Sequence, residues 1–245
     1  MSMMSRTKST TNKIVDVIGD IHGDATAIAQ WAAHSRHDIL FAAGDVGLLF
    51  GHENNLAIVR TFEKYFPNKM VLMVPGNHDD YDQIEALPPC TIFDAKAYKL
   101  SDQFYYIDRG EVVNIDGTTY LCISGAESID REWRLNYMED HPDYGPIWWQ
   151  RELITPDDIN KICDNMSRYN WQVDYVISHE VPTRVKRELF RVIYGPHYSS
   201  DLLWDLANQI NFSVWYCAHL HLSYECTIGV MNFVVLDINE IQEVL

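Results

Sequence analysis

The chain has few positive charges for its length. Its 245 residues include 19 Lys and Arg against 35 Asp and Glu, which gives a formal net charge of −16. Non-specific binding to duplex nucleic acid depends on Lys and Arg that neutralise phosphates, so this balance argues against such binding. An anionic substrate must then be attracted by local positive charge, and bound cations are one source of it.

Long apolar runs and paired cysteines are also missing. No apolar run approaches the length that crosses a bilayer, and we expect no membrane association. Residues 1–13 are polar and basic and lack the apolar segment of a secretory signal, so we expect a disordered tail, with an organellar transit peptide as the less favoured alternative. The five cysteines are scattered and form no CxxC pair, which predicts free thiols and a reducing compartment, the cytoplasm.

Short β-rich runs alternate with amphipathic segments. The predicted strands are Ile14–Ile18, Ile39–Ala43, Met70–Val74, Tyr120–Ile123, Tyr175–Ile177 and Val214–Cys217. The predicted helices are Ala25–His34, Asn54–Phe66, Pro156–Tyr169 and Ser199–Ile210. This alternation predicts an α/β fold with a largely parallel sheet. The turn sequence at 114–118 predicts a hairpin, and TIGVMNFVVLD predicts a closing antiparallel pair, so part of the sheet is mixed.

One segment breaks the alternation. Residues 127–155 are charged and aromatic, and we expect them to be an insertion within a single domain that spans residues 14–245. Its aromatic residues are Trp133, Tyr137, Tyr144, Trp148 and Trp149. They predict either a local hydrophobic cluster, which we favour, or a surface that stacks on a ring-bearing substrate.

Polar side chains follow five of the six predicted strands. In chain order they are Asp20 and His22, Asp45, Asn77 and His78, His179, and finally His219 and His221. The carboxyl ends of strands in open α/β sheets converge on one crevice, so we expect these side chains to meet there. The set contains enough donors for two divalent metal ions.

The types of donor atom limit which metal ions the site would bind. Oxygen and imidazole donors without thiolate suit Mn, Fe, Zn, Co or Ni better than Ca. Two doubly charged cations against the carboxylates of Asp20 and Asp45 leave a pocket with a net charge of about +2. Such a pocket accepts hydroxide and an anionic phosphate ester without leaving a buried charge unpaired.

These motifs resemble those of the calcineurin-like metallophosphoesterase superfamily. The series D-x-H, GD, GNHD, a lone His after a strand, and H-x-H runs in that order from Gly19 to His221. The resemblance implies a two-sheet β-sandwich flanked by helices, an α/β-β/α four-layer fold, with a dinuclear metal centre at its edge. The cofactors it implies are two divalent metal ions, with Mn²⁺ first and Fe, Zn, Ni or Co as alternatives.

The resemblance also implies a role for each residue. One metal takes Asp20, His22 and His221, and the other takes Asn77, His179 and His219, with Asp45 bridging the two. A hydroxide between the ions attacks phosphorus, Asn77 helps to stabilise the charge, and His78 contacts the phosphate or protonates the leaving oxygen. We expect Asp79 to orient this site rather than to bind metal.

We expect the substrate to be a small phosphorylated or nucleotide-like compound. The sequence GDVGLLF lacks the Asp and Arg that follow Gly-Asp in the Ser/Thr protein phosphatase branch, and GNHD stands where that branch has GNHE. We therefore lean towards a phosphodiester or a broad specificity. The alternatives are a phosphomonoesterase or protein phosphatase, a nuclease within the diester class, and a non-catalytic interaction scaffold with the same fold.

The stretch SIDREWR, at 128–134, is similar to a GA-x-SID-R stretch in bacterial and phage members. Arg131 or Arg134 is therefore a candidate for binding a phosphate oxygen, and surface ion pairing is an equal alternative. The histidines outside the strand-end pattern are expected at the surface or in the core: His34, His37, His52 and His197. His141 lies in the insertion, and we favour a position outside the site over one that reaches it.

Overall fold

The computed structural model describes residues 15–49, 53–190, 192 and 197–244. The expected tail at 1–13, the first residue of the first predicted strand and His52 lie outside these residues. Within the described part of the chain, no helix is long and apolar enough to cross a membrane. All five cysteines are free thiols.

The strands form two mixed sheets. The first sheet contains β1 (Val15–Ile18), β2 (Ile39–Ala43), β3 (Met70–Val74), β4 (Pro89–Ile92), β5 (Ala95–Lys99) and β6 (Phe104–Ile107). The second contains β7 (Val112–Ile115), β8 (Thr118–Ile123), β9 (Tyr175–Ser178), β10 (Val214–Cys217), β11 (Tyr224–Ile228) and β12 (Met231–Val235). The strand β13 (Ile241–Glu243) returns to pair with β1 in the first sheet.

Parallel pairing at the middle of both sheets decides where the strand ends lie. The first sheet has the order β13-β1-β2-β3-β6-β5-β4, and the second has the order β11-β12-β10-β9-β8-β7. The neighbours β1, β2 and β3 are parallel, as are β8, β9 and β10. The predicted hairpin before β8 and the closing pair β11–β12 are antiparallel, as expected.

Helices lie on the outer faces of the sheets, with one exception. The helices are α1 (Ala25–His34), α2 (Glu53–Tyr65), α3 (Tyr81–Ala86), α4 (Arg131–Asp140), α5 (Pro156–Arg168), α6 (Thr183–Leu189) and α7 (Tyr198–Ala207), with 3₁₀ turns at Pro142–Tyr144 and Gln150–Glu152. The exception is α4, whose buried Arg134 contacts the loop after β3. Thr155 caps α5 through a reciprocal capping box with Asp158, and Pro156 occupies its first turn.

Three hydrophobic clusters separate the four layers. The central one lies between the sheets, where the rings of Phe41 and Tyr120 meet at 5.0 Å. A second lies between the first sheet and α1 and α2, and a third lies between the second sheet and α5 and α7. Because side chains alternate along a strand, Phe41 points to the central layer and its neighbour Leu40 to the helices. The predicted sandwich flanked by helices is confirmed.

The sequence patterns did not predict the elements between β3 and β7, which are α3 and the strands β4 to β6. They also did not predict the helices α4 and α6 or the strand β13. Residues 127–155 hold α4 and the two 3₁₀ turns, and they connect β8 to α5.

Candidate metal centre

The carboxyl ends of five strands bring the predicted donors together. Three of these strands, β1, β2 and β3, are neighbours in the first sheet, and β9 and β10 are neighbours in the second. The donor atoms form two clusters of His and Asp that share one residue. In each cluster, the atoms lie within 4.8 Å of one another.

The first cluster consists of Asp20, His22, Asp45 and His221. Oδ1 of Asp20 lies 3.4 Å from Nε2 of His221 and 3.8 Å from Nε2 of His22. Oδ2 of Asp20 accepts a hydrogen bond from the backbone N–H of His219, whereas Oδ1 has no hydrogen-bond partner among the described residues. Burial raises the pKa of Asp20. A buried carboxylate oxygen without a donor, beside two imidazole nitrogens, fits a cation.

The second cluster consists of Asp45, His179 and His219, with Asn77 beside it. Nε2 of His179 lies 3.2 Å from Oδ1 of Asp45 and 3.1 Å from Oδ1 of Asn77. On its other side, Nδ1 of His179 is 2.9 Å from the carbonyl oxygen of Ala43. When Nδ1–H donates to a carbonyl, the ring presents Nε2 to the site, as is typical of metal-binding histidines.

The carboxylates make this pocket attractive to positive charge. Burial alone would lower the pKa of His179, but the charge and hydrogen bond of Asp45 raise it to about 10. Burial would likewise raise the pKa of Asp45, but the charge of His179 holds it below its usual value. Burial lowers the pKa of His219 to about 4, which favours the neutral imidazole that binds metal.

Five of these residues adopt left-handed backbone conformations. The φ angles are 26° at Asp20, 48° at His22, 47° at Asp45, 71° at His219 and 51° at His221. Positive φ is uncommon for residues with a Cβ, although Asp and His tolerate it better than most. Such strain clusters where the surrounding structure fixes a functional geometry.

Two glycines allow the strand ends to approach one another. A Cβ at Gly44, where φ is 95°, would lie close to the ring of His179, 2.1 Å from Nδ1. A Cβ at Gly76 would lie 2.2 Å from Oδ1 of Asp45. Side chains at these positions would therefore displace members of the second cluster.

The carboxylate of Asp79 connects two of the loops that carry the donors. Its carboxylate accepts hydrogen bonds from the backbone N–H groups of Val46, Gly47 and Gly76, at 2.8–3.2 Å. It therefore joins the loop after β2 to the loop after β3. Burial, with the charge of Asp45, raises the pKa of Asp79 to about 6.

His78 lies at the edge of the clusters. Its backbone N–H donates to Oδ1 of Asp45 at 2.7 Å, and its ring centroid is 5.2 Å from that of His22. Nη2 of Arg134 is 2.8 Å from Nε2 of His78. Burial, with the charge of Arg134 adding to it, lowers the pKa of His78 to about 4.

The two predicted arginines have different surroundings. Arg134 is buried, and its guanidinium contacts His78 and the carbonyl oxygen of Asn77. Arg131 is exposed, and its guanidinium carbon lies 4.6 Å from the centroid of the Trp148 ring.

Two residues of the 127–155 segment belong to this region but were not predicted. Oγ of Ser128 accepts a hydrogen bond from Nδ2 of Asn77 at 3.2 Å. The backbone N–H of Ser128 in turn donates to Oε1 of Glu152, which is fully buried. Glu152 reaches Asn77 only through Ser128, which is 24 positions away from Glu152 in the chain. A contact over such a separation leaves no local pattern in the sequence, so it could not be predicted.

The aromatic residues of this segment divide into two groups. Trp149 is buried, and its indole N–H donates to Asp82. Trp133 and Tyr144 are exposed, and both pack beside Tyr137. His141 stacks on Tyr137, with ring centroids 4.2 Å apart.

The other described histidines have local partners or positions away from the strand ends. His37 is buried and bonds to Asp16 at 2.7 Å. Nδ1 of His34, at the end of α1, is 2.8 Å from the carbonyl oxygen of Gln30. His197 precedes α7.

One sequence family and several solved structures are similar to this chain. The sequence model of the calcineurin-like phosphoesterase family matches residues 14–223. Similar solved structures include a phosphopantetheinyl hydrolase from Mycobacterium tuberculosis, with 12% identity, a TM-score of 0.41, and coverage of 94% of this chain and 92% of that one. A putative 5′-nucleotidase from Staphylococcus aureus has 13% identity and a TM-score of 0.49, over 94% of this chain and 50% of that one. No curated protein sequence matches the chain.

Proposed function

Because the chain belongs to the calcineurin-like phosphoesterase family, we propose that it hydrolyses phosphate esters with two divalent cations. The observation that supports this most is the sharing of Asp45 by two donor clusters, one of which contains the buried Oδ1 of Asp20, an atom with no hydrogen-bond donor among the described residues. A buried carboxylate oxygen that lacks a donor is costly in a protein without a cation. The donor set therefore fits divalent ions.

The two clusters suggest how the cations would be held. Asp20, His22 and His221 would bind one, Asn77, His179 and His219 would bind the other, and Asp45 would contact both. When bound, the cations would supply the positive charge that makes water acidic enough to attack near neutral pH and that offsets the charge of the phosphate. Mn²⁺ is our first choice of metal, and the mixed oxygen and nitrogen donors also suit Fe, Zn, Ni and Co.

The chain's own groups would then orient and stabilise the reacting ester. Asn77 and His78 lie side by side at the end of β3, with the backbone of His78 anchored on Asp45. We assign to the amide of Asn77 a share in stabilising charge on the phosphate oxygens. We assign to the ring of His78 the donation of a hydrogen bond or proton to the leaving oxygen.

Within this proposal the substrate is a small diester, or the enzyme is broad in specificity. The preference for diesters rests on the sequences GDVGLLF and GNHD alone. Hydrolysis of bis(p-nitrophenyl) phosphate and of p-nitrophenyl phosphate, each with added Mn²⁺, tests it. Faster turnover of the diester is expected, and a strong preference for the monoester would overturn this choice of substrate.

A non-catalytic scaffold of the same fold is the competing function. The exposed rings of Trp133 on α4 and Tyr144 in the following 3₁₀ turn are a surface that such a scaffold would offer to a partner. Metal analysis of the purified protein separates the two functions. Binding of transition metal, with activity lost in EDTA and restored by metal, supports the enzyme, whereas a protein that binds no transition metal supports the scaffold.

Two further features, the free cysteines and the net charge, bear on the cellular compartment and on the ligand of the protein. Thiols that remain unpaired suit a reducing compartment, so we propose that the protein works in the cytoplasm. The excess of acidic residues makes duplex nucleic acid a poor ligand, and a small phosphorylated or nucleotide-like compound a better one.

A further inference from the structure

The helix α4 is joined to the candidate metal centre through one buried side chain. Among its ten residues, Arg134 is the buried one, at 3% exposure. A guanidinium is removed from water only when its donors find partners, because an unpaired buried charge is very costly. The partners of Arg134 therefore indicate what its burial achieves.

Contacts to four residues surround the guanidinium. Nε pairs with Asp130 at 2.8 Å, and Nη1 donates to the carbonyl oxygens of Asn77 and Ile147 at 2.9 and 3.2 Å. Nη2 lies 2.8 Å from Nε2 of His78 and 3.5 Å from its Nδ1. Two of the four residues are consecutive, Asn77 and His78. The planar fork of Arg thus holds the backbone of one residue and the ring of the next.

The contact with His78 favours one of the two ring nitrogens as acceptor. Nη2 lies 2.8 Å from Nε2 and 3.5 Å from Nδ1, and Arg is a hydrogen-bond donor only, so the shorter contact assigns the acceptor role to Nε2. In the neutral ring with this pairing, the proton lies on Nδ1. Rotation of the ring about its Cβ–Cγ bond would break the contact, so Arg134 restricts both the orientation and the tautomer of His78.

We propose that Arg134 is a positioning residue that acts on phosphoester hydrolysis through His78. This inference rests on the proposed function and refines it, because Arg134 then serves the reaction without binding the substrate phosphate. The fork is essential, since a Lys ammonium is a point charge that cannot reach the Asn77 carbonyl and the His78 ring in the same planar geometry.

A double-mutant cycle tests the coupling. We expect Arg134→Ala to lower kcat by about 10- to 100-fold, as for other outer-shell partners, with KM and metal content little changed. Arg134→Lys should fold and bind metal but show a similar loss. In the His78→Ala background, Arg134→Ala should cause no further loss, because the group it positions is gone. An equal loss of kcat with and without His78 would overturn the proposal, as would wild-type activity in Arg134→Lys.

The ring itself supplies a readout that does not depend on activity. In ¹⁵N-histidine-labelled metal-free protein near pH 8, His78 should show protonated Nδ1 in the wild type and a shift towards the Nε2–H form in Arg134→Ala. An unchanged His78 signal would overturn the proposal. An inactive wild-type protein would instead reject the proposed function, while the spectrum would still decide whether Arg134 positions His78.

A matched control lies elsewhere in the fold. Nε of Arg36 donates to Nε2 of His37 at 3.1 Å, an Arg–His contact outside the metal centre. Arg36→Ala should alter the signals of His37 and leave both kcat and the His78 signals unchanged. A loss of kcat in Arg36→Ala equal to that in Arg134→Ala would show a general loss of stability and overturn the positioning role.

Discussion

Nε2 of His22 lies 3.0 Å from Nε2 of His221, although 199 positions separate the two residues in the chain. Both nitrogens also lie within 4 Å of Oδ1 of Asp20. Three donors from the end of β1 and the loop after β10 thus point at one place. His221 belongs to this cluster alone, whereas Asp45 belongs to both.

Replacement of His221 by Ala should therefore affect one of two metal positions. We expect the variant to bind about one divalent ion per chain where the wild type binds two, because the cluster of Asp45, His179 and His219 keeps all its members. Metal analysis after dialysis, together with titration calorimetry, measures the stoichiometry. Loss of both ions, or of neither, would contradict the division into two positions.

Replacement of Asp45 by Asn should weaken both positions. The substitution removes the shared charge but keeps a side chain that tolerates the left-handed backbone, where φ is 47°. Metal affinity and activity should fall together, by more than the roughly 10- to 100-fold caused by loss of an outer-shell partner. Asp116→Asn is the control, because Asp116 has a φ of 51° in an exposed turn. If Asp45→Asn bound metal like the wild type, the shared role would be wrong.

Gly44 offers a test that leaves every donor in place. In Gly44→Ala, the new Cβ would collide with His179, so we expect loss of metal binding at the second cluster. Gly117→Ala is a closely matched control, since its φ is 94° against 95° at Gly44 and a Cβ there meets nothing within 4 Å. The control should lose only about 1–2 kcal/mol of stability through backbone strain and should keep its metal. Equal metal loss in both variants would assign the effect to strain instead.

The buried carboxyl group of Glu152 should make the free energy of unfolding depend on pH. Burial raises its pKa from 4.5 to about 7, so the folded state holds a proton that the unfolded state releases. The contribution of this group to the stability of the fold is therefore present below pH 4.5 and is lost as pH rises through about 7. Glu152→Gln cannot ionise and keeps an oxygen for the N–H of Ser128.

This variant should match the wild type near pH 4.5 and be more stable at pH 8, by on the order of 3 kcal/mol. Thermal unfolding at several pH values measures the difference. The exposed Glu132 on the neighbouring helix α4 supplies the control, and Glu132→Gln should show no such pH-dependent difference. A constant gap between Glu152→Gln and wild type across this range would contradict the prediction.

The sequence determined the kinds of donor and their order along the chain. Asp20, Asp45, Asn77 and His179 each follow an apolar run, and strands that are buried on both faces are continuous in hydrophobicity, so the pattern could be read directly. The strands β2, β3 and β10 have the predicted bounds for this reason. The strand β4 is short and largely exposed, so its sequence gave no comparable pattern.

The tertiary structure alone decided which donors share a cation site and what holds them. The pairing of β1 with β2 and of β9 with β10, and the stacking of the two sheets, place Asp45 between His22 and His179. The contact between Arg134 and His78, 56 positions apart, follows from how a surface helix docks on a loop. Strand periodicity reports a local repeat in hydrophobicity, whereas such contacts depend on packing between distant segments, for which a single sequence carries no local signal.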